Sequence, residues 1–156
     1  MKLYIKQEPF SWMTKYVVKD AKGADKYTVE GQLLSEGHKL HIFDSNKVEV
    51  GTVQSKFSGL HPRAEISQHG KVSAEVQKKR AGLKTTYIIS GSDWTIRGDF
   101  RTHDYALMGG YGNALVVKII QMEGEQYYEL EISNTADEIK VLATALVLDF
   151  VLDEVK

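Results

Sequence analysis

Residues 137–155 read DEIKVLATALVLDFVLDEV, and the fold turns on this stretch. No Gly or Pro interrupts it, and from Val141 to Leu152 only Thr144 and Asp149 are polar. At 3.6 residues per turn it makes a helix of about five turns. Its apolar residues cover nearly the whole circumference, and a helix apolar all round must be buried on all sides. Thr135 and Glu138 have the T-x-x-E spacing of a capping box, which places the helix start. The run is too short for a membrane span, which needs ~20 apolar residues, and Asp149 interrupts it. Asp149 needs a partner inside the fold or a place near its mouth, because a lone buried charge is costly. The rest of the chain is expected to wrap around this helix.

The preceding residues read as short antiparallel strands divided by turn signals. Leu3 and Ile5 alternate with Lys2, Tyr4 and Lys6; Pro9 to Trp12 is a loop, since Pro does not serve a central strand. Tyr16 to Lys19 ends at a hairpin turn, Asp20 to Gly23. Tyr27, Val29, Gly31 and Leu33 share one face, with Thr28, Glu30 and Gln32 on the other, the pattern of a sheet with one buried face. Further strands cover Leu40–Phe43, Val48–Phe57, Pro62–Ser67, Val72–Val76 and Leu83–Ser90. A bulge is expected at Gly51, where Val48 and Val50 fall out of phase with Val53. Val72, Ala74 and Val76 are expected to point inward together. Trp94, Ile96, Gly98 and Phe100 alternate with Thr95, Arg97, Asp99 and Arg101. Asp104–Met108 is a weaker strand. Leu115, Val117 and Ile119, then Tyr128, Leu130 and Ile132, complete about twelve strands.

The chain also repeats itself. VQSKFSGLHPRAEIS at 53–67 aligns without gaps to VQKKRAGLKTTYIIS at 76–90. At an offset of 67, Gly31/Gly98, Leu40/Leu107 and Asn46/Asn113 are identical, with Val48/Leu115 and Val50/Val117 similar. A weaker echo at 47 sets Phe10, Ser11, Val17 and Gly23 against Phe57, Ser58, Ala64 and Gly70. Each repeat is a hairpin that cannot bury its face alone. A large sheet must manage its edges, and closure into a barrel removes them. Twelve strands enclose more space than their inward side chains fill, because barrel diameter grows with strand number. The helix supplies the filler, roughly 28 Å long at 1.5 Å per residue. The expected fold is mainly β, about twelve antiparallel strands closed around a central hydrophobic C-terminal helix, with residues 1–156 as one domain.

Composition narrows the chemistry. The chain has 156 residues, a net charge of −1 and no cysteine, which excludes disulfides and thiolate metal sites and suits a reducing compartment. The opening MKLYIKQEPF lacks the apolar run of a signal peptide, so a cytoplasmic location, peripheral at a membrane, is expected. Charge is uneven. Residues 47–103 carry ten basic and five acidic side chains, whereas 104–156 carry three basic and ten acidic. A basic middle is a surface for phosphates or acidic partners.

Within it, Lys78, Lys79, Arg80 and Lys84 cluster at one hairpin tip, and Lys56 and Arg63 occupy the sister hairpin. Lysine offers phosphate oxygens a point charge and arginine a planar fork. Other candidates are weaker. His38 and His41 are three apart, which in a strand points them to opposite faces, and no clustered ligand set suggests a metal. His103-Asp104 pairs a base with an orienting carboxylate, but no nucleophile elbow accompanies it. Gly109-Gly110-Tyr111-Gly112 lacks phosphate-loop spacing. Glu123, Glu125, Glu129 and Glu131 read as a solvated face, and Trp12 as a plug at one barrel end. No cofactor and no nucleic-acid partner are expected.

The Lys-rich opening strand with Phe10-Ser11-Trp12, the repeated hairpins and the apolar terminal helix resemble the LURP-one-related family. The segments IKQEPFSWMTKYVVKDAKG, YTVEGQLLSEGHKLHIFD and DWTIRGDF carry the likeness, which spans essentially the whole chain. The resemblance implies a tubby C-terminal-like fold, a twelve-stranded barrel around a central hydrophobic helix, shared with phospholipid scramblases. Tubby domains of that superfamily bind phosphoinositides through basic residues on the barrel exterior. The expected function is a non-enzymatic module binding anionic phospholipid headgroups or another acidic partner through exterior basic hairpins. A protein-interaction scaffold is the alternative, and a hydrolase built on His103-Asp104 a third.

Overall fold

A computed structural model of the protein describes residues 1–8, 14–34, 37–56, 62–82, 84–99, 104–109, 114–122, 127–133 and 137–148. At 33, 34, 37, 80, 81, 84, 99, 114 and 127 it describes the backbone alone. Among these residues, twelve strands precede one helix: β1 Lys2–Gln7, β2 Lys15–Asp20, β3 Asp25–Leu34, β4 Gly37–Asp44, β5 Glu49–Lys56, β6 Arg63–Gln68, β7 Lys71–Ala81, β8 Lys84–Ser90, β9 Thr95–Asp99, β10 Asp104–Gly109, β11 Ala114–Met122, β12 Tyr127–Ile132 and α1 Glu138–Leu146. They form one antiparallel sheet in the order β8-β7-β6-β5-β4-β3-β2-β1-β12-β11-β10-β9. Neighbours in space are neighbours in sequence, except at β1 and β12, where Leu3 faces Leu130 and Ile5 faces Tyr128. The sheet curls until its end strands, β8 and β9, come together without joining the hydrogen-bonded ladder. The barrel is therefore nearly closed.

Period-two alternation fills the interior. Leu3, Ile5, Val18, Val29, Ile42, Val53, Ile66, Val76, Val117, Ile119 and Leu130 are fully buried. Inside them lies α1. Every residue from Val141 to Leu148 is at most 1% exposed, which only an interior helix achieves. Each fully buried leucine there contributes about 1.5–3 kcal/mol. Thr144 donates its hydroxyl to the Lys140 carbonyl at 2.7 Å, so the lone polar side chain of this run is satisfied.

The start of α1 differs from the capping-box expectation. Asp137 is the N-cap residue and makes no side-chain capping bond, which leaves Glu138 at the first helical position rather than the third. Glu138 instead accepts a hydrogen bond from Lys26 Nζ at 2.6 Å. Burial, aided by the Glu138 carboxylate, pushes the Tyr27 phenol above its ordinary pKa. The helix is thus fastened to β3 by its first side chain. Thr135 and Asp149 lie outside the described residues.

Bulges set which residues face in. The register shifts between Ile42↔Gly51 and Phe43↔Glu49, so the bulge falls at Gly51 as expected. A Cβ on Gly51 would stand 3.0 Å from Ile139, so the missing side chain makes room for the helix. The expected inward residue Val72 points out for the same reason, and so does Leu115. Ile66 faces Ala74 but Ser67 faces Val72, and the intervening shift leaves Val72 60% exposed. Leu107 faces Val117 but Met108 faces Leu115, and Leu115 is 40% exposed. Strict alternation read through a bulge assigns every residue beyond it to the wrong face.

Candidate functional site

Strand β7 decides the geometry of the basic cluster. Ala74 and Val76 are buried, and period two carries the next alternate residue, Lys78, to the inner face, 5% exposed and opposite Tyr87 of β8. The expectation that Lys78 belongs to an exterior patch is therefore corrected. In the repeat at 53–67, the residue aligned with Lys78 is Ser55, also fully buried; its hydroxyl accepts from the His38 N–H at 2.7 Å. Lys79, aligned with Lys56, lies on the outer face. The backbones of Arg80 and Lys84 close the β7–β8 hairpin through Arg80↔Thr85 and Ala81↔Lys84, with Gly82 at φ 65° in the turn. The side chains of Arg80 and Lys84 lie outside the described residues.

On the outer face of β5 and β6, Lys56 stands directly opposite Arg63. The next residue across is Gln77, with Lys79 two positions farther along β7. The Lys78 N–H donates to the Pro62 carbonyl at 2.8 Å, which ties the start of β6 to this part of β7 and so places Arg63 beside it. Directly opposed side chains have Cβ atoms ~5 Å apart. Lys56 is compensated by a 3.0 Å ion pair with Glu65 on the same wall. Arg63 is not: its Nε is buried and, among the described residues, has no hydrogen-bond partner. Among the described residues, neither Arg63 nor Lys79 has an ion-pair partner. Glu65 in turn faces Glu75, an acidic row beside the basic one. The basic row offers one guanidinium fork and one ammonium to an oxyanion, with Lys56 shared between that oxyanion and Glu65.

The remaining candidates separate cleanly. His41 Nδ1 bonds Glu49 Oε1, and its ring stacks on Phe43 with centroids 6.3 Å apart. His69 sits in the β6–β7 turn at φ 53°. His61, His103 and Trp12 lie outside the described residues, as do residues 110–113 and Glu123 and Glu125. Among the described residues, no group of three His, Asp or Glu side chains is arranged to hold a metal ion. No helix among them is long and apolar enough to cross a membrane. Glu129 is bonded by Tyr4 at 3.2 Å and paired with Lys2 at 3.4 Å, so the acidic strand belongs to a neutralised wall.

Lys56, Arg63 and Lys79, which the sequence assigns to two hairpins, lie on one outer face. What sequence reasoning misses is the inward turn of Lys78. The signal was available in the alternation from Ala74 and Val76, which points position 78 to the interior.

Comparison with known proteins agrees with this architecture. The chain is 32% identical over 152 residues to a Bacillus subtilis (strain 168) protein named uncharacterized protein YxjI, covering 97% of this chain and 94% of the relative. The X-ray structure of an Arabidopsis thaliana protein matches with a TM-score of 0.64 at 14% identity, over 95% of this chain and 90% of the plant chain, a likeness of fold. The sequence profile of the LURP-one-related family matches residues 1–149, and the chain belongs to that family.

Proposed function

We propose that the protein is a non-enzymatic binding module whose outer β5–β7 wall receives a phosphate-bearing anion, either a lipid headgroup or a soluble phosphate compound. One observation carries the reading: Lys56 and Arg63 are held opposite each other although their charges repel, and the Arg63 Nε is buried without a partner. Like charges directly opposed in a sheet destabilise it by roughly 0.2–1 kcal/mol. A buried donor left unmade costs about 1–3 kcal/mol. A phosphate bound across Arg63, Lys79 and Lys56 relieves the repulsion. The filled interior supports binding at the surface over a buried active site, because α1 occupies the space a ligand cavity would need.

The test is co-sedimentation with neutral, phosphatidylglycerol-rich and phosphoinositide-doped vesicles, beside calorimetric titration with a soluble inositol phosphate. The natural protein is compared with an Arg63→Glu, Lys79→Glu variant of verified fold. Lys78 is left intact because it is interior. Salt-sensitive binding of at least one probe, lost in the variant, is the expected result. Inositol phosphate binding that survives the double reversal, or no binding to any probe, overturns the reading and favours a protein-interaction scaffold.

A further inference from the structure

The rim of the barrel where α1 begins carries the turns between β2 and β3, β4 and β5, and β6 and β7. Each turn carries or adjoins an exposed lysine: Lys22, Lys47 and Lys71. Among the described residues, none of the three has a side-chain hydrogen bond or ion pair. The carboxylates of these turns are engaged. Asp20 accepts from the N–H groups of Lys22 and Ala24, and Asp44 from those of Asn46 and Val48. Asp25 is paired with Lys19, and Glu49 with His41. The tips therefore show cations while their acids serve backbone amides or neighbouring strands.

Two of the tips also show an apolar side chain next to the lysine. Val48 is 56% exposed, and Val72 is turned outward by the β6–β7 bulge. Met1 and Leu115, exposed as well, stand at the same end of the barrel. The turn at 44–48 repeats the turn at 20–24 bond for bond: Gly23 N–H donates to the Asp20 carbonyl and Lys47 N–H to the Asp44 carbonyl, both at 3.0 Å. Gly23 has φ 82° there, and Lys47 has φ 62°. Glycine adopts this left-handed conformation freely and lysine does not. At the second tip the chain accepts that strain and displays an ammonium group.

We infer that this rim is a docking surface for an anionic lipid bilayer, with Val48 and Val72 entering the interface and Lys22, Lys47 and Lys71 meeting the headgroups. Adjacent tips are two strands apart, roughly 10 Å along the rim. Single valines at that spacing make no contiguous apolar patch for a protein partner, but each can enter a bilayer independently. Three tips on one arc suit a planar partner, and free cations beside apolar groups suit an anionic one. The inference shares its anionic partner with the wall reading but not its residues. Lys71 and Lys79 are eight residues apart on β7, roughly 26 Å along a strand. A bilayer lying flat on the rim therefore leaves the wall free for a soluble ligand.

The chain has no cysteine, so single labels are clean. Val48→Cys, Val72→Cys and, as a control on the outer face of β8, Thr86→Cys are labelled with an environment-sensitive fluorophore and mixed with phosphatidylglycerol-rich or pure phosphatidylcholine vesicles. A blue-shifted, several-fold rise at positions 48 and 72 with the anionic vesicles, and none at 86, is expected. Replacing the three lysines with Gln is expected to weaken vesicle binding on the order of 100-fold, about fivefold for each. The Arg63→Glu, Lys79→Glu variant is expected to keep the fluorescence change even where it loses inositol phosphate binding. No change at 48 and 72, an equal change at 86, or binding that ignores the three lysines overturns the inference. Loss of inositol phosphate binding in the natural protein bears on the wall alone.

Discussion

Two walls of the same barrel treat charge in opposite ways. On the wall made by β1, β12 and β11, Glu131 stands between Lys2 and Lys118, so each charged neighbour is of opposite sign. Lys2 also reaches Glu129, whose carboxylate raises the lysine's pKa above its ordinary value. On the wall made by β5, β6 and β7, Lys56 faces Arg63 and Glu65 faces Glu75. The two walls rest on the same apolar interior and have the same ladder. Stability therefore does not require the mismatch, and the matched wall shows what a sheet does when only pairing energy matters. The mismatched wall keeps unspent charge at its surface.

The sharpest way to break this contrast is on β7, where inner and outer lysines are adjacent. Lys78→Glu is expected to lower unfolding stability by about 3 kcal/mol or more, because it reverses a charge held inside the barrel. Lys79→Glu is expected to change it by less than about 0.5 kcal/mol, the ordinary range for surface substitutions. Urea denaturation of both variants decides the point, and equal costs would show that Lys78 is not interior. A smaller effect compares the walls directly. Arg63→Glu is expected to stabilise by roughly 0.2–1 kcal/mol, since it turns a repulsive pair into an attractive one. Glu131→Lys on the other wall is expected to destabilise by a similar amount, since three like charges then share one row. The same sign for both substitutions would remove the contrast.

The smallest effect is a pH control away from both walls. The Tyr27 phenol is raised in the folded protein, so the stability it contributes is present below its ordinary pKa near 10 and is lost as pH rises above that value. Tyr27→Phe is expected to flatten the fall in stability between pH 9 and 11 in denaturant titrations. The wall variants are expected to leave that slope unchanged, and an altered slope in them would show that the wall communicates with the fastening of α1.

The fold was legible in the sequence because its two strongest signals are collective. Eight consecutive interior residues from Val141 to Leu148 and the recurrence of alternating runs each survive errors at single positions. The hairpin repeat was legible for the same reason: Val53 and Val76 are both buried, as are Ile66 and Ile89. What escaped was local phase. Val72 and Leu115 follow register shifts, and a shift of one residue leaves no mark on composition. The capping-box reading failed for a different reason. The spacing of Thr135 and Glu138 is right, but Lys26 and Tyr27 compete for the same carboxylate from more than a hundred residues away. At the wall, the sequence shows which cations share a hairpin. It does not show that Glu65 would take Lys56 and leave Arg63 without a partner, because that depends on a diagonal between strands.

The order of the sheet has a consequence for synthesis. Strands β1 to β8 pair in succession with no help from the second half of the chain, whereas α1, which fills them, follows every strand. A ribosome adding 5–20 residues per second takes roughly 3–12 seconds to move from the end of β8 to the end of the buried helix. For that interval the nascent chain is an eight-stranded meander with an apolar inner face and nothing to cover it. The moment of greatest aggregation risk is thus fixed by the position of the helix in the gene, and moving it to the amino terminus would shorten that exposure without changing a single contact.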